Sequence, residues 1–385
     1  MSTATAKSAA PHAVRRQPPF RADHVGSLLR PKALLDARAK HAAGELSADA
    51  LRAMEDDTIR DVVALQESIG LSNITDGEFR RTYFHLDFLE QIDGMETSSG
   101  DAAAAFQRKD GVDVNFAPPK LKTVGKRGRS KSIMRRDFEF LNSVVSDENT
   151  ARVTIPSPSM AHFRGGRAAV DETAYPTMDA FFADLTRVYR EEVADLAEAG
   201  CRFLQLDDTN LAYLCDPAMR ESARARGEDP DALPAAYAAL INDAISSRPD
   251  DMTVGVHLCR GNFRSAWVAE GGYEPVADVL FNAMNVEAFF LEYDDPRSGD
   301  FAPLRFVPKG KHVILGLVSS KNPELESKDD LKARINEAAQ FIPLDQLCLS
   351  PQCGFASTVH GNDISADVQR RKLELVVEVA NEVWG

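Results

Sequence analysis

Short apolar segments alternate with longer amphipathic segments along most of the chain. After Ser47, apolar residues recur with the 3.6-residue period of a helix as far as Gly70, and residues 177–199 repeat this pattern. Ser47 and Gly70 are typical residues for the start and the end of a helix. The apolar segments are only a few residues long, as expected of strands buried in a parallel sheet. The pattern therefore predicts alternating strands and helices.

Eight strands are predicted in this way, and polar residues follow them on their carboxyl sides. The first is a short strand within residues 20–29, and the others lie at residues 73–75, 152–155, 201–206, 253–256, 288–291, 312–317 and 347–349. Eight strand–helix units with polar residues at one end predict a (β/α)8 TIM barrel. A doubly wound open sheet is the competing fold, but the sequence lacks its glycine-rich phosphate-binding turn after the first strand.

Two segments interrupt the alternation. Residues 1–18 are predicted to form a disordered tail. They contain two adjacent arginines, but no apolar run follows the pair, as it would in an export signal. Residues 97–150, after the second strand, are predicted to be an inserted segment. Its first part is rich in Gly, Ser and Ala, and its second part is basic. The basic part is typical of a solvated hairpin, or of a site for an anionic substrate tail or an acidic partner. Residues 19–385, with this insertion, are predicted to form one barrel domain.

Composition narrows the classes of function. The 45 Lys and Arg residues against 59 Asp and Glu residues give a net charge of −14. This charge argues against binding to nucleic acid or to anionic membrane surfaces, and it favours small-molecule substrates. The apolar runs are all shorter than the roughly 18 residues of a membrane span. Five widely spaced cysteines, an odd number, predict free thiols in a reducing cytoplasm.

Candidate metal ligands follow three of the predicted strands. His257 and Cys259 lie two residues apart, so an extended chain points both side chains to the same side. Taken alone, this pair is also typical of a buried thiol beside a hydrogen-bonded histidine. In a barrel, however, Glu292 and Cys353 would reach the same centre from two later strand ends. An imidazole, two thiolates and a carboxylate from separate loops are typical of a catalytic zinc site that holds a substrate thiol as a thiolate.

Polar residues after three other strands are candidates for substrate binding. Gly26 and Ser27 would let a ligand approach the backbone closely, although an ordinary turn has the same composition. Glu78 is a carboxylate that could bind an ammonium group, and Asp207 and Asp208 end the fourth strand together. Solvated turns remain the alternative interpretation of such clusters.

Five motifs together resemble the catalytic domain of the cobalamin-independent methionine synthases over essentially residues 20–385. They are HVGS at 24–27, DGEF at 76–79, LQLDD at 204–208, HLCRGNF at 257–263 with LEYDDPRSGDF at 291–301, and LSPQCGF at 349–355. The resemblance implies that four residues bind zinc: His257, Cys259, Glu292 and Cys353. It also implies that Gly26, Ser27, Glu78 and Asp207 hold the amino-acid part of homocysteine. Asp207 and Asp208, in place of that family's Asp–Glu pair, are predicted to be catalytic.

The sequence departs from that family in two respects. The full-length enzymes carry two barrels, and this chain has room for the catalytic one only. Their proton-donating histidine after the seventh strand is replaced by Val318. A tertiary-amine donor such as methyltetrahydrofolate needs an acid at its leaving nitrogen, so we expect it to be a poor donor here. Asp208, His162 and His360 are alternative acids, but each is more typical of a structural hydrogen-bonding residue.

The predicted function is that of a zinc-dependent thiol S-methyltransferase. It would act on homocysteine or a close analogue and give methionine or a related thioether. Two alternatives stay open: a zinc thiol alkyltransferase with another electrophile, such as an epoxide, and a non-catalytic zinc module that binds a thiol. The sequence leaves the donor open between a folate, a corrinoid and other methyl compounds, and it is compatible with a homo-oligomer.

Overall fold

The computed structural model describes residues 17–100, 104–108, 111, 114–117 and 119–385. Residues 1–16 of the predicted tail and part of the predicted insertion lie outside this description. The strands are β1 (Asn73–Ile74), β2 (Asp93–Ser98), β3 (Ala104–Phe106), β4 (Val114–Phe116), β5 (Lys120–Gly128), β6 (Thr150–Ala151), β7 (Val153–Pro156), β8 (Phe203–Asp208), β9 (Thr253–Leu258), β10 (Ala288–Glu292), β11 (His312–Val318) and β12 (Leu347–Pro351).

Ten α-helices lie between these strands in the described part of the chain. They are α1 (Lys32–Ala42), α2 (Ala48–Ile69), α3 (Leu86–Leu89), α4 (Arg135–Val144), α5 (Met178–Glu198), α6 (Asn210–Tyr213), α7 (Pro217–Ala225), α8 (Leu233–Ala244), α9 (Lys328–Ala338) and α10 (Ala366–Trp384). The predicted limits of α2 are confirmed, because the Ser47 side chain accepts a hydrogen bond from the Ala50 N–H and Gly70 adopts a left-handed φ of 93°.

The centre of this α/β fold is a six-stranded parallel sheet with the order β12-β11-β10-β9-β8-β7. Each pair of neighbouring strands is parallel. All residues of β8 and of β10 are buried, as expected of strands that are covered on both faces. Six of the predicted strands are thus confirmed as one parallel sheet.

Short backbone pairings extend both edges of this sheet. β6, which directly precedes β7 in the chain, pairs in parallel with β1. The Arg152 N–H, between β6 and β7, donates to the Ile74 carbonyl at 2.8 Å. Next to β12, Ala22 forms a single parallel bridge with Leu349. The short strand that was predicted within residues 20–29 is thus reduced to this bridge. Asp23 hydrogen-bonds to Asn73 through its side chain, and Gly26 has a φ of 133°, so the backbone leaves the extended path after the bridge.

A buried ion pair joins the bridge segment to the sheet. Arg152 and Asp23 have side chains that are 0% exposed, and their NH1 and Oδ1 atoms are 3.1 Å apart. The Arg152 guanidinium also lies over the rings of Phe203 and Phe290, 5.3 and 5.2 Å from their centroids. Phe203 is on β8 and Phe290 is on β10, so one side chain contacts strands that are not neighbours in the sheet.

The basic part of the predicted insertion packs against α5. β5 pairs antiparallel with β2. Arg129 contacts Glu192 at 2.6 Å, and Arg135 contacts Asp195 at 2.7 Å. These arginines are therefore paired with acids of the same chain, which favours the hairpin interpretation of this segment.

No helix in the described part of the chain has both the length and the apolar character that are needed to cross a bilayer.

We expect the change Arg152→Met to destabilise the fold by about 3–5 kcal/mol, because it leaves the Asp23 carboxylate buried without its charged partner. Urea unfolding followed by circular dichroism would measure this loss. The control is Arg202→Met, since the Arg202–Asp251 pair has side chains that are 42% and 67% exposed. Such surface pairs contribute about 0–1 kcal/mol. Equal losses in the two variants would contradict the role given to the buried pair.

Candidate functional site

Four potential metal ligands meet at the carboxyl edge of the sheet. One ligand atom from each of His257, Cys259, Glu292 and Cys353 lies within 4.8 Å of the others, and all four residues are buried. His257 lies near the end of β9 and Glu292 ends β10. Cys259 and Cys353 follow β9 and β12 closely. Because parallel strands end at the same edge, residues up to 96 positions apart form one group, which we name the metal group.

Neighbouring residues fix the orientation of the Glu292 carboxylate. Its Oε1 atom accepts a hydrogen bond from the Arg260 N–H at 2.9 Å. Its Oε2 atom accepts weaker contacts from Arg297 at 3.3 Å and from Gln352 at 3.4 Å. Both ring nitrogens of His257 are buried and lack a well-aligned hydrogen-bond partner among the described residues. A buried nitrogen without a partner is unusual, and a metal ion would satisfy it.

The two thiols of the metal group have opposite pKa shifts. Their sulfur atoms are 3.5 Å apart. The hydrogen bond between them lowers the pKa of Cys353 well below its usual value and raises the pKa of Cys259 well above its usual value. These shifts favour Cys353 as the hydrogen-bond acceptor and Cys259 as the donor. A bound dication would be required to hold both as thiolates.

A cavity of about 240 Å³ opens beside the metal group. Three members of the metal group line it, together with Ser27, Glu78 and Asp207. Much of the remaining lining is apolar or aromatic: Val25, Tyr83, Phe84, Phe106, Tyr213, Met219, Phe263 and Val268. The cavity therefore combines one thiol-rich end and two carboxylates with walls that exclude water.

Glu78 and Asp207 form the acidic part of the cavity. Burial first, and then the nearby charge of Glu78, raise the pKa of Asp207 to about 7. Burial also raises the pKa of Glu78, although Arg81 at 3.6 Å opposes the shift. Thr154 donates a hydrogen bond to Glu78 at 2.9 Å. Two buried carboxylates with raised pKa values form a site suited to a cationic group such as an ammonium.

Glycines allow Ser27 and Glu78 to pack closely. A Cβ atom on Gly354 would lie 1.9 Å from the Ser27 Oγ atom. A Cβ atom on Gly26 would lie 2.8 Å from the Thr154 methyl group and 3.1 Å from the Glu78 Oε1 atom. Gly26 is not among the cavity-lining residues, so it contributes space and a backbone turn rather than a ligand contact.

The structure separates Asp207 from Asp208. Asp208 does not line the cavity. Its Oδ2 atom accepts hydrogen bonds from Ser157 and Ser159, each at 2.5 Å, and its Oδ1 atom accepts one from the Leu211 N–H at 2.8 Å. Both oxygens of the Asp208 carboxylate accept hydrogen bonds from neighbouring loops. The geometry therefore does not support the predicted catalytic role of Asp208.

The other acids considered in the sequence also lie away from the cavity lining. His162 contacts the Tyr237 hydroxyl at 2.9 Å, and His360 borders a different cavity. Among the lining residues that the sequence analysis missed are two basic side chains, His85 and Arg164. Burial, and then the charge of Arg164, lower the pKa of His85 well below its usual value, so His85 is neutral near pH 7. Neither residue follows a predicted strand directly, so the strand-end pattern gave no signal for them.

The chain is similar in sequence and in structure to proteins of one family. Residues 20–382 match the family model described as "Cobalamin-independent synthase, Catalytic domain". The uncharacterized protein YxjH of Bacillus subtilis is 46% identical over 374 residues, with 96% of each chain covered. A solved structure from Listeria monocytogenes, assigned to the vitamin-B12 independent methionine synthases, has a TM-score of 0.77 and 38% identity, and covers 96% of this chain and 100% of that one.

A longer relative carries a more specific name. The 5-methyltetrahydropteroyltriglutamate–homocysteine methyltransferase of Thermotoga petrophila is 24% identical over 342 residues. The match covers 88% of this chain but only 41% of that protein.

We expect Gly354→Ala to destabilise the protein by about 1–3 kcal/mol, because its Cβ atom would overlap Ser27 and force a backbone shift. Urea unfolding would measure the change. Gly125→Ala is the matched control, since a Cβ atom there would meet only the Gly94 Cα atom at 3.8 Å. That substitution should change stability by less than about 1 kcal/mol. A tolerated Gly354→Ala would show that Ser27 is free to move.

Proposed function

We propose that this chain, which belongs to the family of cobalamin-independent synthase catalytic domains, is a zinc-dependent thiol S-methyltransferase. The family includes proteins named as methionine synthases and homocysteine methyltransferases. The acceptor that we propose is homocysteine or a close thiol analogue, and the product is methionine or the related thioether. One observation carries the proposal: the metal group and a pair of buried carboxylates face the same small cavity.

The donor atoms of the metal group fit zinc. One imidazole nitrogen, two sulfurs and one carboxylate oxygen are ligands that zinc accepts in tetrahedral sites. They come from three loops rather than from close cysteine pairs, as in catalytic sites. Bound zinc would supply the positive charge that keeps an acceptor thiol deprotonated at neutral pH.

The chain's own residues would hold the rest of the acceptor. Glu78 and Asp207 offer two carboxylates to an α-ammonium group, and the Ser27 hydroxyl offers a donor to an α-carboxylate. The aromatic walls around them exclude water, which strengthens these contacts. An amino acid with a thiol side chain would place its sulfur at the metal group and its ammonium group at the two carboxylates.

We also propose that residues 19–385 form one closed (β/α)8 barrel with residues 97–150 inserted after β1. Backbone pairings continue the six-stranded sheet at both edges, as far as Ala22 on one side and β1 on the other. Asn73 donates to the Asp23 carboxylate, and the Asn73 carbonyl lies 3.0 Å from His24 Nε2. These contacts link the two extended edges and support a closed ring.

We expect the purified protein to hold about one zinc ion per chain, and Cys259→Ser and Cys353→Ser to lose it, because each removes one of four ligands. Elemental analysis after dialysis would measure the metal content. Cys201→Ser and Cys348→Ser are the matched controls, since these buried thiols lie outside the metal group. Full zinc retention in Cys259→Ser and Cys353→Ser would refute the ligand assignment.

The function itself is tested by incubating the zinc-loaded protein with homocysteine and a panel of methyl donors, and following methionine by mass spectrometry. We expect methionine to form with at least one donor. A protein that binds homocysteine but forms no product with any donor would instead be a thiol-binding module. A thioether formed only from epoxides would identify an alkyltransferase.

In the same assay, Asp207→Asn should raise the KM for homocysteine on the order of tenfold to a hundredfold, because it removes a charged partner of the ammonium. Glu78→Gln should raise the KM for homocysteine to a similar extent. The informative neighbour is Asp208→Asn, which should lower stability and leave the KM nearly unchanged. A larger KM effect at Asp208 than at Asp207 would contradict this division of roles.

A further inference from the structure

The inserted segment contributes a side chain to the cavity beside the metal group. Phe106, at the end of β3, lines this cavity and is only 9% exposed. Its ring centroid lies 5.5 Å from that of Phe263, which lines the same cavity. Phe263 belongs to the loop that begins at Cys259. The insertion therefore packs against a loop that carries a metal-group residue.

The residues that follow Phe106 hold it in place. The Gln107 N–H donates to the Trp267 carbonyl at 2.7 Å, and the Trp267 N–H donates to the Gln107 carbonyl at 2.9 Å. Arg108 lies 3.6 Å from Asp363, which is in the loop between β12 and α10. Residues 106–108 are therefore attached to the loops after β9 and β12, and each of these loops contains one cysteine of the metal group.

The apolar contacts of Phe106 are separate from the main core. Phe106, Phe263 and Ala266 form a small buried cluster of their own, and Val268 packs against it. Such a small cluster buries little apolar surface, so it contributes little to the stability of the main fold. A smaller side chain at position 106 should therefore change the cavity without unfolding the sheet.

The cavity extends from a buried end to a partly exposed rim. The buried end contains the metal group and the carboxylates of Glu78 and Asp207. The rim consists of lining residues that are exposed or partly exposed: Tyr83, Phe84, Arg164, Met219 and Val268. Because the proposed acceptor fills the buried end, the methyl donor has to enter from the rim. Phe106 lies on this side, since its cluster contacts Val268.

The size of the cavity restricts the donor. Its volume of about 240 Å³ is below the roughly 300–1,000 Å³ of cavities that bind drug-sized ligands. The same cavity also has to hold the acceptor. The remaining space suits a donor that is compact around its methyl group rather than one with a large ring system at that point.

The lining also indicates the charges of the donor. Aromatic side chains line the cavity on the donor's side, among them Phe106, Phe263 and Tyr213. The faces of aromatic rings attract cations. At the rim, the exposed guanidinium of Arg164 offers hydrogen-bond donors to an anionic group such as a carboxylate. A cationic methyl-bearing centre with a carboxylate a few atoms away would match both features.

We propose that Phe106 is a specificity-determining residue for the methyl donor, and that this donor is a compact methyl sulfonium with a carboxylate on a short chain. The proposal rests on the proposed function. A bond forms between the acceptor thiolate sulfur and the methyl carbon while the bond from that carbon to the donor sulfur breaks. The electron pair of the broken bond stays on the donor sulfur, which leaves as a neutral thioether. No proton is transferred in this step, which agrees with the valine at position 318.

The test compares two sulfonium donors of different size. S-methylmethionine and S-adenosylmethionine have the same sulfonium, ammonium and carboxylate groups, but a 5′-deoxyadenosyl group in the second replaces a methyl group of the first. Isotopically labelled homocysteine distinguishes the methionine that forms from the methionine that leaves. We expect the kcat/KM of the wild type to be at least about tenfold higher for S-methylmethionine, because the apolar wall excludes the larger group.

Phe106→Ala should reduce this preference at least about fivefold, because it removes the wall that excludes the larger donor. Loss of a merely structural contact would instead lower both kcat/KM values by the same factor. Gln107→Ala is the matched control, since its side chain is exposed and its pairing with Trp267 uses backbone atoms only. It should keep the preference of the wild type. Zinc content and urea midpoints establish that each variant is folded, and Phe106→Leu gives the same test with a smaller change if Phe106→Ala is not.

The other outcomes overturn the proposal. An unchanged preference in folded Phe106 variants would show that this side chain does not select the donor. A wild type that uses S-adenosylmethionine or methyltetrahydrofolate as efficiently as S-methylmethionine would refute the size limit. Methionine formation from other donors but from neither sulfonium would refute the donor class and leave the proposed function standing. Failure of the wild type with every methyl donor of the panel would refute the proposed function as well.

Discussion

The ending of parallel strands at one edge of the sheet is the constraint on which this site depends. β9, β10 and β12 run in the same direction, so the residues that follow them are gathered within a few ångströms. The backbone hydrogen bonds of the sheet fix these strands before any ligand is bound. Asp207 on β8 is the register partner of His257 on β9, which places the acidic part of the cavity next to the metal group.

Burial gives the site its electrostatic character. The carboxylates of Glu78 and Asp207, and the thiols of Cys259 and Cys353, are withdrawn from water. In such surroundings, like charges repel strongly and each group depends on its neighbours for its protonation state. The carboxylate pair is therefore poised for a cationic substrate group. The thiol pair is poised for a cation of another kind, which we propose to be zinc.

Buried cations complete this balance beside the metal group. Arg297 contacts the Glu292 carboxylate at 3.3 Å and is itself held by Asp294 at 2.8 Å. The Arg297 side chain is buried, so these ion pairs are shielded from water and salt. A cation that is built into the fold thus helps to orient one of the metal-group carboxylates.

The sequence by itself determined the limits of α2 and α5, the six strands of the main sheet and the residue types that could bind a metal, because periodicity and strand ends are local properties. It predicted the same catalytic role for Asp207 and Asp208, which are neighbours at the end of one strand. Only the tertiary structure decided which of them enters the cavity, because that depends on the loops of Ser157 and Ser159. The place of His85 and Arg164 in the cavity lining was equally hidden, since neither residue directly follows a predicted strand.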